Sequence, residues 1–246
     1  MVKALAGAIG FLTTVPVSKT PDSWDEFRRR PAIMPVVGYL VGAVLAIPVV
    51  AAPAPVLGGF GFVLAVFVLT GINHVDGLTD LADGLAVHGA EADRVAAMRD
   101  SALGVGGLLA GALVLLGLFA VGQVLTGIGR GAIGVIVAAE VAAKLAMLVV
   151  LVRGTPRHEG LGSALAEFAT DRSLAVGGVL AAPAIVLTWP SPAGAVAIAG
   201  GLIVALVVGR IANGRLGGIS GDVLGATNEL ARLAALLLGV IAWTLW

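Results

Sequence analysis

Of 246 residues, 59% are hydrophobic and only 12% are charged, against roughly 25% charged in a soluble domain. With a mean hydropathy of +1.04, the composition excludes a water-soluble globule and makes the bilayer the expected solvent. The 15 basic and 15 acidic residues cancel, which excludes a nucleic-acid binder, and the lack of cysteine excludes disulfides, iron–sulfur clusters and thiolate zinc.

A hydrocarbon core about 30 Å thick takes about 20 apolar residues per helix. The first apolar stretch, Met1 to Val17, is interrupted by Thr13, Thr14 and Pro16. It reads as a short span, a re-entrant segment or an interfacial helix, since Pro16 and the charges beyond it make a poor leader cleavage site. Apolar runs near 33–53, 55–73, 102–126, 131–152, 174–190, 192–213 and 229–246 then predict an all-α polytopic bundle of about seven transmembrane helices. With no internal repeat and no long loop, residues 1–246 are expected to form one membrane-embedded catalytic domain.

The charges orient the spans. The turns A-A-P-A-P and W-P-S-P carry none, while 13 of the 15 basic residues, from Lys3 and Lys19 to Arg232, fall on the opposite side. Arg130 lies apart and Lys144 falls inside a span, as does Glu140, the one acidic residue of 15 not on the charged side. Lysine and arginine mark cytoplasmic loops, so a multi-pass protein of the cytoplasmic membrane is expected, with its chemistry at the cytoplasmic face.

The most informative stretch runs from Leu69 to Gly89. Asp76, Asp80 and Asp83 stand at i, i+4 and i+7, on one helical face. Like charges so spaced repel unless a cation lies among them, and hard oxygen ligands suit Mg²⁺ or Mn²⁺. The plainer alternative is a solvated acidic helix end, against which stands the scarcity of charge elsewhere. His74 lies half a turn from Asp76, and His88 is the weaker candidate of the two.

Three further polar segments follow. Arg99, Asp100 and Ser101 precede a glycine-rich helix start at Gly104, Gly106 and Gly107, where backbone N–H groups can receive a phosphate. There, Asp100 or Ser101 as a helix cap is the structural alternative. Arg153 to Gly162 is a cationic loop suited to an anionic substrate, or to acidic lipid. Arg210 to Leu230 places four glycines around Asp222, then Asn228 and Glu229, and a flexible turn is its plainer reading. Glu140 and Lys144 form an i, i+4 pair within the fourth span, either structural or with Lys144 reaching a cytoplasmic cavity.

Together F-L-T-T-V-P-V, P-V-V-G-Y-L-V-G-A, G-I-N-H-V-D-G-L-T-D-L-A-D-G-L, A-M-R-D-S-A-L-G-V-G-G, H-E-G-L-G and G-D-V-L-G-A-T-N-E-L resemble the cobalamin synthase family, also called adenosylcobinamide-GDP ribazoletransferase. The resemblance runs from about Phe11 to Glu229. It implies a Mg²⁺-dependent membrane enzyme that joins adenosylcobinamide-GDP to α-ribazole or its 5′-phosphate and releases GMP. It further implies Asp76, Asp80, Asp83 and Asp100 as metal ligands, with His74 and Arg99 in the catalytic set. Ser101, Glu159, Asp222 and Glu229 are implied on the substrate side, to which the glycine-rich helix start adds Gly104 and the cationic loop adds Arg157. One departure is Lys144, where the family pattern leads one to expect an arginine. Other Mg²⁺-dependent membrane transferases, such as CDP-alcohol phosphotransferases, differ in having paired acids with Ala-Arg where Thr79-Asp80 stands here. A cation-coupled transporter would carry its acids at mid-membrane in inverted repeats. Lipid is the expected environment, and a homo-oligomer is compatible with the sequence.

Overall fold

A computed structural model describes residues 1–17 and 20–246, so Lys19 lies outside the described residues. Among the described residues, thirteen α-helices follow one another: α1 (Val2–Leu12), α2 (Pro21–Arg28), α3 (Met34–Ala51), α4 (Pro55–Thr70), α5 (Asn73–Ala86), α6 (Glu91–Met98), α7 (Val105–Ile128), α8 (Ala132–Arg153), α9 (Leu161–Ala166), α10 (Asp171–Ala181), α11 (Pro183–Val186), α12 (Ala193–Arg215) and α13 (Gly221–Thr244). Among the described residues there is no β-strand, only an isolated bridge between Pro156 and Ile219.

Helix α8 is the axis of the bundle, buried over nearly its whole length from Ala132 to Leu151 and packed by α3, α12 and α13. Small residues make that possible. A Cβ on Gly38 would lie 2.7 Å from the Val141 Cα, one on Gly42 2.6 Å from the Val137 Cα, and one on Gly201 2.9 Å from the Ala142 Cβ. Such close backbone approach is the usual source of helix association where lipid removes the hydrophobic drive. Leu40, Val44 and Ile47 on α3, Leu109, Leu113 and Leu116 on α7, and Ile203, Leu206 and Val207 on α12 are exposed. A surface this apolar faces lipid, and every span is helical because only internal hydrogen bonds satisfy a backbone there.

Among the described residues, four helical stretches are long and apolar enough to cross a membrane, five if the bent pair α4 and α5 counts as one. The longest, Val105–Arg153, is 49 residues and contains both α7 and α8, divided at Gly129 with φ +70°. The expected count of about seven is not confirmed, for three physical reasons. The runs at 102–126 and 131–152 fall in the single stretch Val105–Arg153, while Met1 to Val17, outside the seven, yields only the 11-residue α1, which packs on α2 through Phe11, Trp24 and Phe27. The 55–73 run yields a 16-residue α4, after which the chain turns by 97° into α5. The 174–190 run is interrupted near Pro183 into α10 and the short α11. At the C-terminus the helix is longer than expected, beginning at Gly221, because the Ser220 hydroxyl caps it by accepting from the Val223 N–H. Asp222, Asn228 and Glu229 therefore stand on one helix.

Candidate active site

The site begins with a helix crossing. α5 and α13 meet through two glycines: a Cβ on Gly77 would lie 2.7 Å from the Asp222 Cα, and one on Gly225 3.0 Å from the His74 Cα. Backbones this close bring Asp76 and Asp80 on α5 to the same place as Asp222 in the first turn of α13.

These side chains line an open cleft of about 490 Å³, together with Arg99, Asp100 and Ser101 from the turn after α6 and His158 from the loop after α8. Six residues expected in the site are thus assembled from three separate chain segments. Thr79, Met98 and His158 join them, and the H-E-G-L-G motif is the one local sequence signal for His158. The carboxyl of Asp80 is pushed up to about 6 by burial and then by Asp76, Asp222 and Asp83. Four carboxylates whose charges oppose one another, all oxygen donors, fit a hard divalent cation. Among the described residues no three His, Asp or Glu side chains form a ready metal cage.

Asp83 differs from its two neighbours. Its oxygens accept from the Gly104 N–H and the Gly107 N–H, both at 2.8 Å. The start of α7, expected to present free N–H groups to a phosphate, is therefore capped by a carboxylate from another helix. Gly104 serves by its lack of a side chain, since a Cβ there would overlap Asp83. Neither Asp100 nor Ser101 caps α7; Asp100 instead accepts from the Ala102 N–H at 3.0 Å, closing a local turn.

The two remaining loops are tied together. The Ile219 N–H donates to the Thr155 carbonyl at 2.8 Å and the Arg157 N–H to the Ile219 carbonyl at 3.1 Å. Gly217 and Gly218, at φ +69° and +133°, permit the approach, with the Thr155 carbonyl directly over Gly218. This bridge fixes His158 beside Asp222. Arg157 is half-buried, with Arg99, Asp222 and Glu91 as its charged neighbours; burial, then Arg99, lower its basicity. Glu159 is exposed and does not line the cleft.

His74 and Glu229 do not line it either. Both belong to a network between α5, α8 and α13 in which Glu140, Lys144, Asn228, Glu229 and Arg232 are at most 1% exposed. Lys144 donates to Glu140 at 3.1 Å and to the Asn228 side-chain oxygen at 2.7 Å. The Asn228 amide lies 3.2 Å from His74 Nδ1 and donates to Glu229 at 2.9 Å, while Arg232 bonds both Glu229 and Glu140. Two acids and two bases cancel inside the bundle, as buried charges must. Arg232 and Glu229, expected among the loop charges, are interior instead, and Lys144 is structural rather than reaching the cleft.

A lipid-facing helical bundle with a cleft of aspartates and an arginine at its helix ends defines a multi-pass membrane protein. The profile of the family described as Cobalamin-5-phosphate synthase matches residues 4–240, and the chain belongs to that family. It is 50% identical to the adenosylcobinamide-GDP ribazoletransferase of Halorubrum lacusprofundi over 99% of both chains. It is 40% identical to the protein of that name from Haloquadratum walsbyi over 100% of both. The one from Methanocella arvoryzae is 36% identical over 100% of this chain and 97% of its own. No solved structure matches.

Proposed function

We propose that this chain carries out the final joining step of cobalamin assembly: adenosylcobinamide-GDP and α-ribazole, or its 5′-phosphate, give adenosylcobalamin, or its 5′-phosphate, and GMP. The observation that carries the reading is the cleft lined by Asp76, Asp80 and Asp222 together with Arg99, in a chain half identical to a ribazoletransferase along its length. The ribose hydroxyl attacks the cobinamide-side phosphorus, a new P–O bond forms, and the P–O bond to GMP breaks.

Positioning and charge neutralisation do most of the work in such a transfer. Asp76, Asp80 and Asp222 are the residues that would hold Mg²⁺, with Asp100 at the same cleft and Asp83 beside it. The ion, when bound, neutralises pyrophosphate oxygens and the charge that develops on GMP. Arg99 and Arg157 supply positive charge from the protein side, with Ser101 as a neutral donor. His158, which lines the cleft, is the imidazole suited to take the hydroxyl proton; His74 is 8% exposed and turned to Asn228. The arginines and lysines of the loops support placing the cleft at the cytoplasmic face of the cell membrane.

The test is direct. Protein purified in detergent is incubated with adenosylcobinamide-GDP and α-ribazole, with Mg²⁺ or with EDTA, and GMP is measured. GMP that requires both substrates and the metal supports the reading; metal-independent release or no release contradicts it.

A further inference from the structure

A second cleft of about 570 Å³ shares no lining residue with the acidic one. One rim carries Arg29, Arg30 and Arg172; Ile33, Val176 and Leu180 form an apolar wall. It lies where α3 and α10 begin, and two ion pairs fix that region to the rest of the bundle: Arg28 to Glu167 at 3.2 Å and Arg153 to Asp171 at 3.0 Å. Because Arg153 ends α8 just before the His158 loop, both clefts belong to the same end of the bundle.

The charges at this rim are unequal in their pairing. Glu26 pairs with Arg30, while Glu167 pairs with Arg28 and Asp171 with Arg153. Among the described residues, Arg29, at the C-terminal end of α2, and Arg172, in the first turn of α10, have no ion-pair partner. Arg29 lies 5.6 Å over the Phe168 ring, which orients its guanidinium without neutralising it. Just beyond the rim, Val176 and Val179 are 44% and 72% exposed on α10, as lipid-facing residues are.

We propose that this cleft binds an anionic phospholipid, its phosphate between Arg29 and Arg172 and an acyl chain along Val176 and Leu180. The two halves of the cleft match the two halves of such a molecule: unpaired guanidinium at the headgroup level and apolar wall below it. A soluble nucleotide or free phosphate would have no use for the wall, and a zwitterionic lipid would bring a cation of its own beside the two arginines.

Native mass spectrometry of the full chain in detergent, with phosphatidylglycerol or phosphatidylcholine added, tests this. Retained phosphatidylglycerol is expected to fall about tenfold in Arg29→Gln/Arg172→Gln and to change less than about twofold in Arg210→Gln/Arg215→Gln, a control pair of exposed arginines at the end of α12. Phosphatidylcholine is expected to be retained weakly by all three, and millimolar inorganic phosphate to leave phosphatidylglycerol bound. Equal losses from the two pairs would overturn the proposal in favour of diffuse surface charge, and displacement by phosphate alone would overturn it in favour of a soluble-anion site. GMP release measured on the same samples separates this question from the assigned chemistry.

Discussion

Gly77 and Asp222 touch backbone to backbone, with only 2.7 Å between the Asp222 Cα and the place a Gly77 Cβ would occupy. That contact makes one site out of an acidic helix and a distant helix start. It also explains why Asp222 shares a cleft with Asp76 and Asp80 across more than a hundred residues of sequence.

Gly77→Leu should therefore separate α5 from α13 and abolish GMP release. Gly127→Ala, where nothing lies within 4 Å, should leave activity unchanged and the helix slightly steadier, by less than about 1 kcal/mol. Activity and thermal unfolding of the two variants check this. Equal loss in both would detach the crossing from the site.

Asp80 and Asp83 are neighbours with different expected roles. Asp83→Ala removes the cap of α7 and should cost about 1–2 kcal/mol of stability. Asp80→Asn should instead steady the metal-free protein. A carboxyl raised to about 6 in the fold is favoured folded while protonated, so metal-free stability should fall as pH rises from the ordinary aspartate range through about 6. Mg²⁺ should restore it in the wild type and less so in Asp80→Asn. Unfolding temperature against pH and Mg²⁺ reads all three effects.

Arg232→Leu would leave Glu140 and Glu229 buried without their shared partner. Breaking one member of such a group costs about 3–5 kcal/mol, so this variant should unfold at much lower temperature. The double change Glu140→Met/Arg232→Leu should recover only part of that, since Lys144 and Glu229 stay charged in the interior. A full recovery would show that the network is two independent pairs.

His158→Gln should lower kcat about 100-fold, the contribution typical of a general base, with KM little changed. His74→Asn should act chiefly on stability. The opposite pattern in steady-state kinetics would return the proton to His74.

Much of this was legible in residue order, and what was not has identifiable causes. The apolar runs located α3, α7, α8 and α12 closely because twenty consecutive apolar residues have few other uses. The i, i+4, i+7 spacing placed Asp76, Asp80 and Asp83 on one helix correctly. It could not say that Asp83 faces the start of α7, because that partner lies 21 and 24 residues away in the chain. The pairing of Arg232 with Glu140 spans 92 residues, and no local pattern signals it. The early start of α13 did have a local signal, Ser220 followed by Asp222, a capping serine with an acid in the first turn. Surrounding glycines hid it.

The most direct measurement is GMP release by wild type and Asp80→Asn across a Mg²⁺ titration. If the α5 carboxylates hold the ion, the variant should lose about 100-fold in turnover or need about tenfold more Mg²⁺. An Asp80→Asn protein with undiminished turnover and an unchanged Mg²⁺ requirement would contradict the assignment of the cleft.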